Sequence, residues 1–376
     1  MASLLASSIR NEERPPVRWG VMGTGAVAED FSRVLLALPT AQLAAVGSRS
    51  EQKAQSFLRK VGAGEVGAVA HGSYESLLAD ENVDIVYVAT PSARHVSVLS
   101  CEGYPSSPIP LPLLFPRGVI SPPDSLACLE NGKAVLCEKS MAPSASEASR
   151  VLDLATSRRL FFLHGVWSRF FPAYAEIRRL IESGAIGQVC SVHASFCQRD
   201  GAGACSAMAE TGVYCAQFLL WVYGGVAPRV VGVSYTLDED TGLDTHVSAA
   251  LEWPCGGKGT FECSLRHPSP RGATICGTKG VIEVPFPFWC PTSITVQTMT
   301  GRGSQTFGEK TVLSFPLPKV NDADQLNFVN SQGLFYEAAA ATQCMLDGAI
   351  ETTQFSSSEC LLVMQLVSDI RAHWMT

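Results

Sequence analysis

Residues 17–50 read VRWGVMGTGAVAEDFSRVLLALPTAQLAAVGSRS. Apolar Trp19, Val21 and Met22 form a strand pattern that Gly23, Thr24 and Gly25 break. Phe31, Val34, Leu35 and Leu38 then recur at helical spacing, and Leu43 to Val46 is a second short apolar run. Strand, glycine turn, helix, strand is a unit that binds a dinucleotide. In the pattern GxGxxA, Gly23 makes the tight turn, Gly25 lets the backbone approach a pyrophosphate, and Ala28 lets the helix pack closely on the sheet. The helix start at Ala26 and Val27 then offers unpaired N–H groups and a positive dipole end to the phosphates. The competing reading is a turn that merely joins two core elements.

The residues just past the second strand bear on the cofactor. An NAD site carries an acidic residue about 20 residues beyond the glycines, to bond the ribose 2′-hydroxyl. This chain has Ser48, Arg49 and Ser50 there. A guanidinium between two hydroxyls suits a 2′-phosphate, which points to NADP. Glu51 adjoins Arg49, and a solvated loop charge is the alternative.

With 376 residues the chain can bury two cores. A net charge of −7 without a basic cluster argues against nucleic acid and anionic membranes as partners. The 13 cysteines are odd in number and never spaced CxxC, which fits neither a disulfide framework nor a zinc site and suggests a reducing, cytoplasmic home. Residues 1–16, MASLLASSIRNEERPP, read as a disordered tail. Its apolar run is too short for a signal peptide, although the serine-rich start with Arg10 leaves a transit peptide as an alternative. No stretch reaches the roughly 18 apolar residues of a membrane span.

Residues 17–165 are expected to form the dinucleotide domain. DIVYVAT, Asp84 to Thr90, is a buried parallel strand in pattern, so Thr90, Pro91 and His95 fall at a carboxyl end, where such sheets bind ligands. Cys101 to Leu126 holds seven prolines and reads as an insertion, either a surface loop or a gene-model artefact. Joining Ser100 to Ala127 gives a continuous helix, HVSVLSACLENGK. KAVLCEK is the next strand and places Glu138 and Lys139 at its carboxyl end. RLFFLHGV comes next and leads into Trp167, Arg169 and Phe170, an aromatic cluster that could wall a pocket.

From residue 166 the pattern changes class. Short alternating runs at 189–198, 229–237, 246–253, 259–265, 273–276, 281–284 and 293–296 predict an antiparallel sheet, interrupted by one helix over 207–223 and followed by helices near 333–346 and 357–374. The fold class is thus an α/β Rossmann domain followed by an α/β domain, residues 166–376, with an open, mostly antiparallel sheet.

The GxGxxA unit, TPxxxH at Thr90 to His95, and the strand ending CEK at Lys139 resemble the Gfo/Idh/MocA oxidoreductase family. The stretches GKAVLCEK (132–139), VWSRFFPA (166–173), ETGVYCAQF (210–218), ICGTKGVIEV (275–284) and FWCPT (288–292) strengthen that resemblance, which covers about Val17 to Ala372 apart from the insertion. It implies hydride transfer between NADP and the hydroxyl carbon of a trans-dihydrodiol or a D-xylose-like pyranose, by a homodimer. It also implies Lys139 as catalytic lysine, Tyr214 as acid/base with Glu210 in support, and Trp167, Arg169 and Phe170 against substrate. His95 matches a cofactor-side position, and no metal is implied. A lysine near Tyr214 is expected to favour phenolate and bring a phenol of ordinary pKa near 10 into range. Ser140 stands where the family has proline, Glu210 where it has aspartate, and Cys205 and Ser206 where it has two glycines; the segment QRDGAGACSA is also short. These departures leave a second reading, a catalytically decayed NADP-binding or interaction protein.

Overall fold

The apolar run before Gly23 becomes β1 (Val17–Met22), at the centre of a six-stranded sheet with β2 (Ala41–Gly47), β3 (Val69–His71), β4 (Ile85–Val88), β5 (Ala134–Glu138) and β6 (Phe162–Gly165). This is a computed structural model describing residues 14–64, 67–90, 122–300 and 307–374. The sheet is parallel throughout, in the order β3-β2-β1-β4-β5-β6. Every residue of β4 and β5 is buried, because helices cover both faces of such a sheet. Between β1 and β4 the strand order reverses, and a crevice opens at the carboxyl ends of the strands.

Proline does not keep the end of the insertion out of helix. Pro122–Glu130 is helical, so Pro122 to Leu126 belong to that element rather than to a loop. Pro122 stands at the helix start, where a missing N–H costs nothing and the fixed φ is already helical. Pro91, His95 and the proposed helical half before Ala127 lie outside the described residues.

The second sheet contains β7 (Val189–Cys197), β8 (Arg229–Leu237), β9 (Asp244–Glu252), β10 (Lys258–Ser264), β11 (Ala273–Gly277), β12 (Gly280–Val284), β13 (Ser293–Thr298) and β14 (Thr311–Ser314), in the order β14-β13-β12-β11-β7-β10-β9-β8. Only the β7–β10 pair is parallel; the other ladders are antiparallel. Phe261, Cys263, Val247 and Ala249 are buried on the face that packs the helix Val213–Val222. Alternate residues His246, Ser248 and Glu262 face the other way and are half-buried. The short strands β3 and β14 were not apparent from periodicity.

After β14 the chain returns to the dinucleotide domain. Asp30, fully buried in the helix Ala26–Leu36, accepts from the Asn327 backbone N–H (2.9 Å), from Asn327 Nδ2 (2.7 Å) and from the Phe328 N–H (3.2 Å). These bonds hold residues 327–329 against the crevice.

Candidate active site

The two glycines of the opening turn differ physically. Gly23 has φ +109°, and a Cβ there would stand 2.7 Å from the Ala89 carbonyl oxygen, so the turn can lie against the end of β4 only with glycine. Gly25, the N-cap of the helix Ala26–Leu36, has an ordinary φ of −83°, and among the described residues the space where a Cβ would project is open. That space belongs to the cleft, which Gly25, Ala26 and Val27 line. A cradle that a methyl group would fill, at a helix N-terminus, fits a pyrophosphate. Thr24 sits between them, half-buried. Ser48 is buried just past the end of β2, its N–H bonded to the His71 carbonyl (3.0 Å), and Arg49 beside it is exposed. Thr90 lines the cleft, and its hydroxyl donates to Asp124 (2.5 Å).

β5 delivers Glu138 and Lys139 to the same crevice. Glu138 is buried and accepts from the Tyr87 hydroxyl (2.5 Å) and from the Lys139 N–H (3.2 Å). Burial raises its carboxyl above the ordinary range, against the pull of the Lys139 charge and the Tyr87 bond. The Lys139 ammonium donates to Glu210 Oε1 (2.7 Å) and to the Glu210 carbonyl oxygen (3.2 Å). Burial pulls its pKa down, but the charges of Glu210 and Glu138 outweigh burial, and the group is held above its ordinary value.

Glu210 lies in a π-helical turn, Met208–Gly212, that opens directly into the helix Val213–Val222 carrying Tyr214. Of the two residues that break the expected glycine pair, Ser206 helps to build this corner. Ser206 Oγ accepts from the Ala209 N–H (3.1 Å) and donates to Asp244 (2.7 Å), and Asp244 also accepts from the Met208 N–H (2.7 Å). Ser206 is thus a helix cap. Cys205 lines the cleft.

Tyr214 is buried, and its oxygen accepts from Trp167 Nε1 (3.1 Å). Its phenol does not have the lowered pKa expected from a nearby ammonium. Burial first, then the negative charges of Glu138 and Glu210, push it well above its ordinary value. Lys139 Nζ is 5.7 Å from the ring centroid and is already paired with Glu210, so its field at the phenol is largely cancelled.

Lys139, Glu210, Tyr214 and Trp167 therefore face Gly25, Ala26, Val27 and Thr90 across one cleft of about 640 Å³. Its walls also include Phe196, Gln198, Arg271, Trp289 and Phe328, which periodicity could not single out because Phe196 and Trp289 double as core and the others lie in loops. Phe196 stacks on Trp289 with ring centroids 3.8 Å apart. Arg169 and Phe170 do not line this cleft. The buried Arg169 guanidinium points away from it, donating to Gln217 (2.7 Å) and Glu359 (3.0 Å) and lying 4.6 Å from the Phe355 ring centroid.

A doubly wound sheet with a glycine cradle and a lysine at its carboxyl edge, opposed by a carboxylate and a tyrosine from a second sheet domain, defines an NAD(P)-dependent oxidoreductase. The chain belongs to the GFO/IDH/MocA family. The model of the oxidoreductase family with an NAD-binding Rossmann fold matches residues 17–100, and the GFO/IDH/MocA C-terminal domain matches residues 174–283. The trans-1,2-dihydrobenzene-1,2-diol dehydrogenase of Sus scrofa is 32% identical over 368 residues, covering 94% of this chain and 96% of its own length. The chain is similar in fold to a 3-ketoreductase of Actinomadura kijaniata in complex with TDP-benzene and NADP (21% identity, TM-score 0.73, 95% of this chain and 97% of that one). It is also similar to a levoglucosan dehydrogenase in complex with NADH and levoglucosan (16% identity, TM-score 0.75, 95% and 96%).

Proposed function

We propose that this chain is an NADP-dependent dehydrogenase acting on a CH–OH carbon of a small trans-dihydrodiol or a pyranose. The observation that carries the reading is the convergence of Lys139, Glu210 and Tyr214 on the cleft that also holds the glycine cradle. The dihydrodiol dehydrogenase named among its relatives supports the substrate class. The cofactor supplies a hydride acceptor or donor when bound. The chain's own residues handle the proton: Tyr214 gives it to a carbonyl oxygen in reduction and receives it from a hydroxyl in oxidation, so that alcohol and NADP⁺ balance carbonyl, NADPH and one proton. Trp167 Nε1 donates to the Tyr214 oxygen and steadies the phenolate that forms when the proton leaves.

Lys139 and Glu210 set the charge around that oxygen. Their pair places an ammonium beside the reacting oxygen's path without leaving a bare cation in a buried cleft. Arg49, exposed at the end of β2 with no acidic residue in its place, supports NADP over NAD. A cytoplasmic homodimer belongs to the same reading. Among the described residues, no helix is long and apolar enough to cross a membrane.

Titration of NADPH and NADH by fluorescence, followed by NADP reduction assays with a trans-dihydrodiol and with D-xylose, tests the proposal. Wild type is expected to prefer NADPH and to turn over at least one of these substrates, and Tyr214→Phe to bind NADPH but lose turnover about 10²–10⁴-fold. Tight NADPH binding without turnover of any such alcohol would refute the catalytic reading. A preference for NADH would refute the role of Arg49.

A further inference from the structure

On the solvent side of the second sheet, away from the cleft, three unlike ligand types meet. Cys197 Sγ at the end of β7, a carboxylate oxygen of Glu262 on β10 and a ring nitrogen of His267 in the loop after β10 all lie within 4.8 Å of one another. Register explains the meeting. Cys197 pairs with Ser264, and Glu262 stands two residues earlier on the same face of the same strand. Strands β7 and β10 are distant in sequence but parallel neighbours, so no spacing motif announces the cluster.

The surroundings favour coordination. The Nδ1 of His267 lies 3.2 Å from the Pro268 carbonyl oxygen, which turns the Nε2 edge of the ring toward Glu262. That Nε2 is 3.7 Å from Glu262 Oε1. Zinc bonded at its usual lengths to sulfur, nitrogen and oxygen places its ligand atoms roughly 3.3–3.8 Å apart, so closing the cluster takes a movement of about 1 Å. His246 Nε2 lies 2.9 Å from the same Glu262 oxygen and orients the carboxylate, as partners behind metal ligands do. Cys197 is buried, whereas His267 and Glu262 are partly exposed, which gives an ion both a shielded sulfur, whose thiol proton would leave on binding, and a way in.

We propose that Cys197, Glu262 and His267 bind one Zn²⁺, with water in the fourth position. A sulfur, a nitrogen and an oxygen donor together select zinc over magnesium or calcium. The ion ties the loop after β10 to the sheet. That loop already folds back over β7, the Ser269 N–H donating to the Cys197 carbonyl (3.2 Å) and Ser269 Oγ accepting from the Cys197 N–H (3.1 Å). It leads into Arg271, which lines the cleft, as do the chain neighbours of Cys197, Phe196 in β7 and Gln198 just past its end. Zinc here is a brace behind the substrate wall and takes no part in hydride transfer.

The experiment uses full-length protein stripped with a chelator and titrated with Zn²⁺ by calorimetry and with Co²⁺ by absorbance. One equivalent is expected to bind, with a thiolate-to-cobalt charge-transfer band and a rise in melting temperature. Cys197→Ser is expected to abolish the band, His267→Ala to abolish stoichiometric binding, and His246→Ala to weaken it about 10–100-fold. His193→Ala, a histidine elsewhere on the same face, is expected to bind as wild type. Circular dichroism checks folding, and Glu262→Gln serves if Cys197→Ser fails to fold. Absence of the charge-transfer band in wild type, or wild-type affinity in Cys197→Ser or His267→Ala, would overturn the proposal and leave only a histidine–glutamate ion pair.

Discussion

Substituting alanine at Gly23 and at Gly25 separates the two tasks of the dinucleotide turn. At Gly23 the backbone sits at φ +109°, a conformation that costs a side-chain-bearing residue about 1–3 kcal/mol. The added Cβ would also stand 2.7 Å from the Ala89 oxygen and 3.0 Å from its carbon. Both are backbone atoms at the end of β4 that cannot swing aside, and overpacking of this kind costs about 1–3 kcal/mol more. Gly23→Ala is therefore expected to lose about 2–6 kcal/mol of stability. At about 2–4 °C per kcal/mol for domains of this size, that lowers the melting temperature by at least roughly 4 °C.

At Gly25 neither cost applies, since φ is −83° and no atom of the described residues lies within 4 Å of the added carbon. Alanine is about 1 kcal/mol poorer than glycine at an N-cap, and it regains about 0.4–1 kcal/mol by restricting the unfolded chain. Gly25→Ala should thus melt close to wild type. Its methyl group, however, enters the cleft in front of the first helical turn, holding a pyrophosphate away from those N–H groups. Losing one hydrogen bond to a charged group is worth about 1.5–3 kcal/mol, or about 10- to 100-fold in affinity. Thermal melts without cofactor and NADPH fluorescence titrations read the two effects independently. Wild-type NADPH affinity in Gly25→Ala, or a wild-type melting temperature in Gly23→Ala, would refute the reasoning.

Because burial and two carboxylates hold Tyr214 well above its ordinary value, kcat/KM for alcohol oxidation is expected to climb with pH through neutrality without levelling below about pH 10, and Tyr214→Phe to remove the climb. Glu337, buried with neither oxygen hydrogen-bonded among the described residues, is raised well above the carboxylate range by burial and by Glu138. The folded chain therefore keeps a proton that the unfolded chain releases above about pH 4.3, and stability falls as pH rises from there toward the raised value, by at most about 1.4 kcal/mol per pH unit. Urea midpoints of Glu337→Gln should fall less with pH than those of wild type, so that the variant gains on wild type between pH 5 and pH 8. Arg169→Met is expected to lower stability by about 2–4 kcal/mol, since it strips the partner from Glu359, and to leave KM within about twofold, because the guanidinium lies outside the cleft; a KM effect without loss of stability would contradict that placement.

Much of this architecture was legible because each domain repeats one period. Continuous apolar runs such as DIVYVAT and KAVLCEK belong to strands buried on both faces, and their carboxyl ends give Thr90, Glu138 and Lys139 without further information. The alternating runs after residue 188 likewise became the second sheet. What stayed hidden depends on contacts between distant segments. Arg169 carries a charge in an aromatic cluster, which reads equally as a pocket wall or as a buried tie, and only Gln217 and Glu359, from two later helices, decide it. Ser206 read as a lost glycine because Asp244, its partner, is 38 residues away. The three-residue β3 is too short to show a period of its own.

The departures from the family pattern bear most on Lys139 and Tyr214, and there geometry argues against decay. A glutamate in place of aspartate reaches one methylene further, and the π-helical turn places that longer side chain so that its carboxylate and its own carbonyl both accept from one ammonium. The result is a lysine that stays charged and a tyrosine that stays protonated, with Trp167 bonded to the tyrosine oxygen. Such a pair suits proton donation to a carbonyl oxygen without further adjustment. For oxidation, the phenol must first surrender its proton, which requires that the Lys139 charge be freed from Glu210 toward the reacting oxygen. A substrate hydroxyl that accepts from Lys139 in place of Glu210 would do so, and vicinal hydroxyls on a diol or a pyranose offer one oxygen to Lys139 while the other meets Tyr214. If the proposed function holds, the pairing that neutralises the resting cleft predicts a larger kcat/KM for a vicinal diol or a pyranose than for a simple alcohol of similar size, and equal values for the two would contradict it.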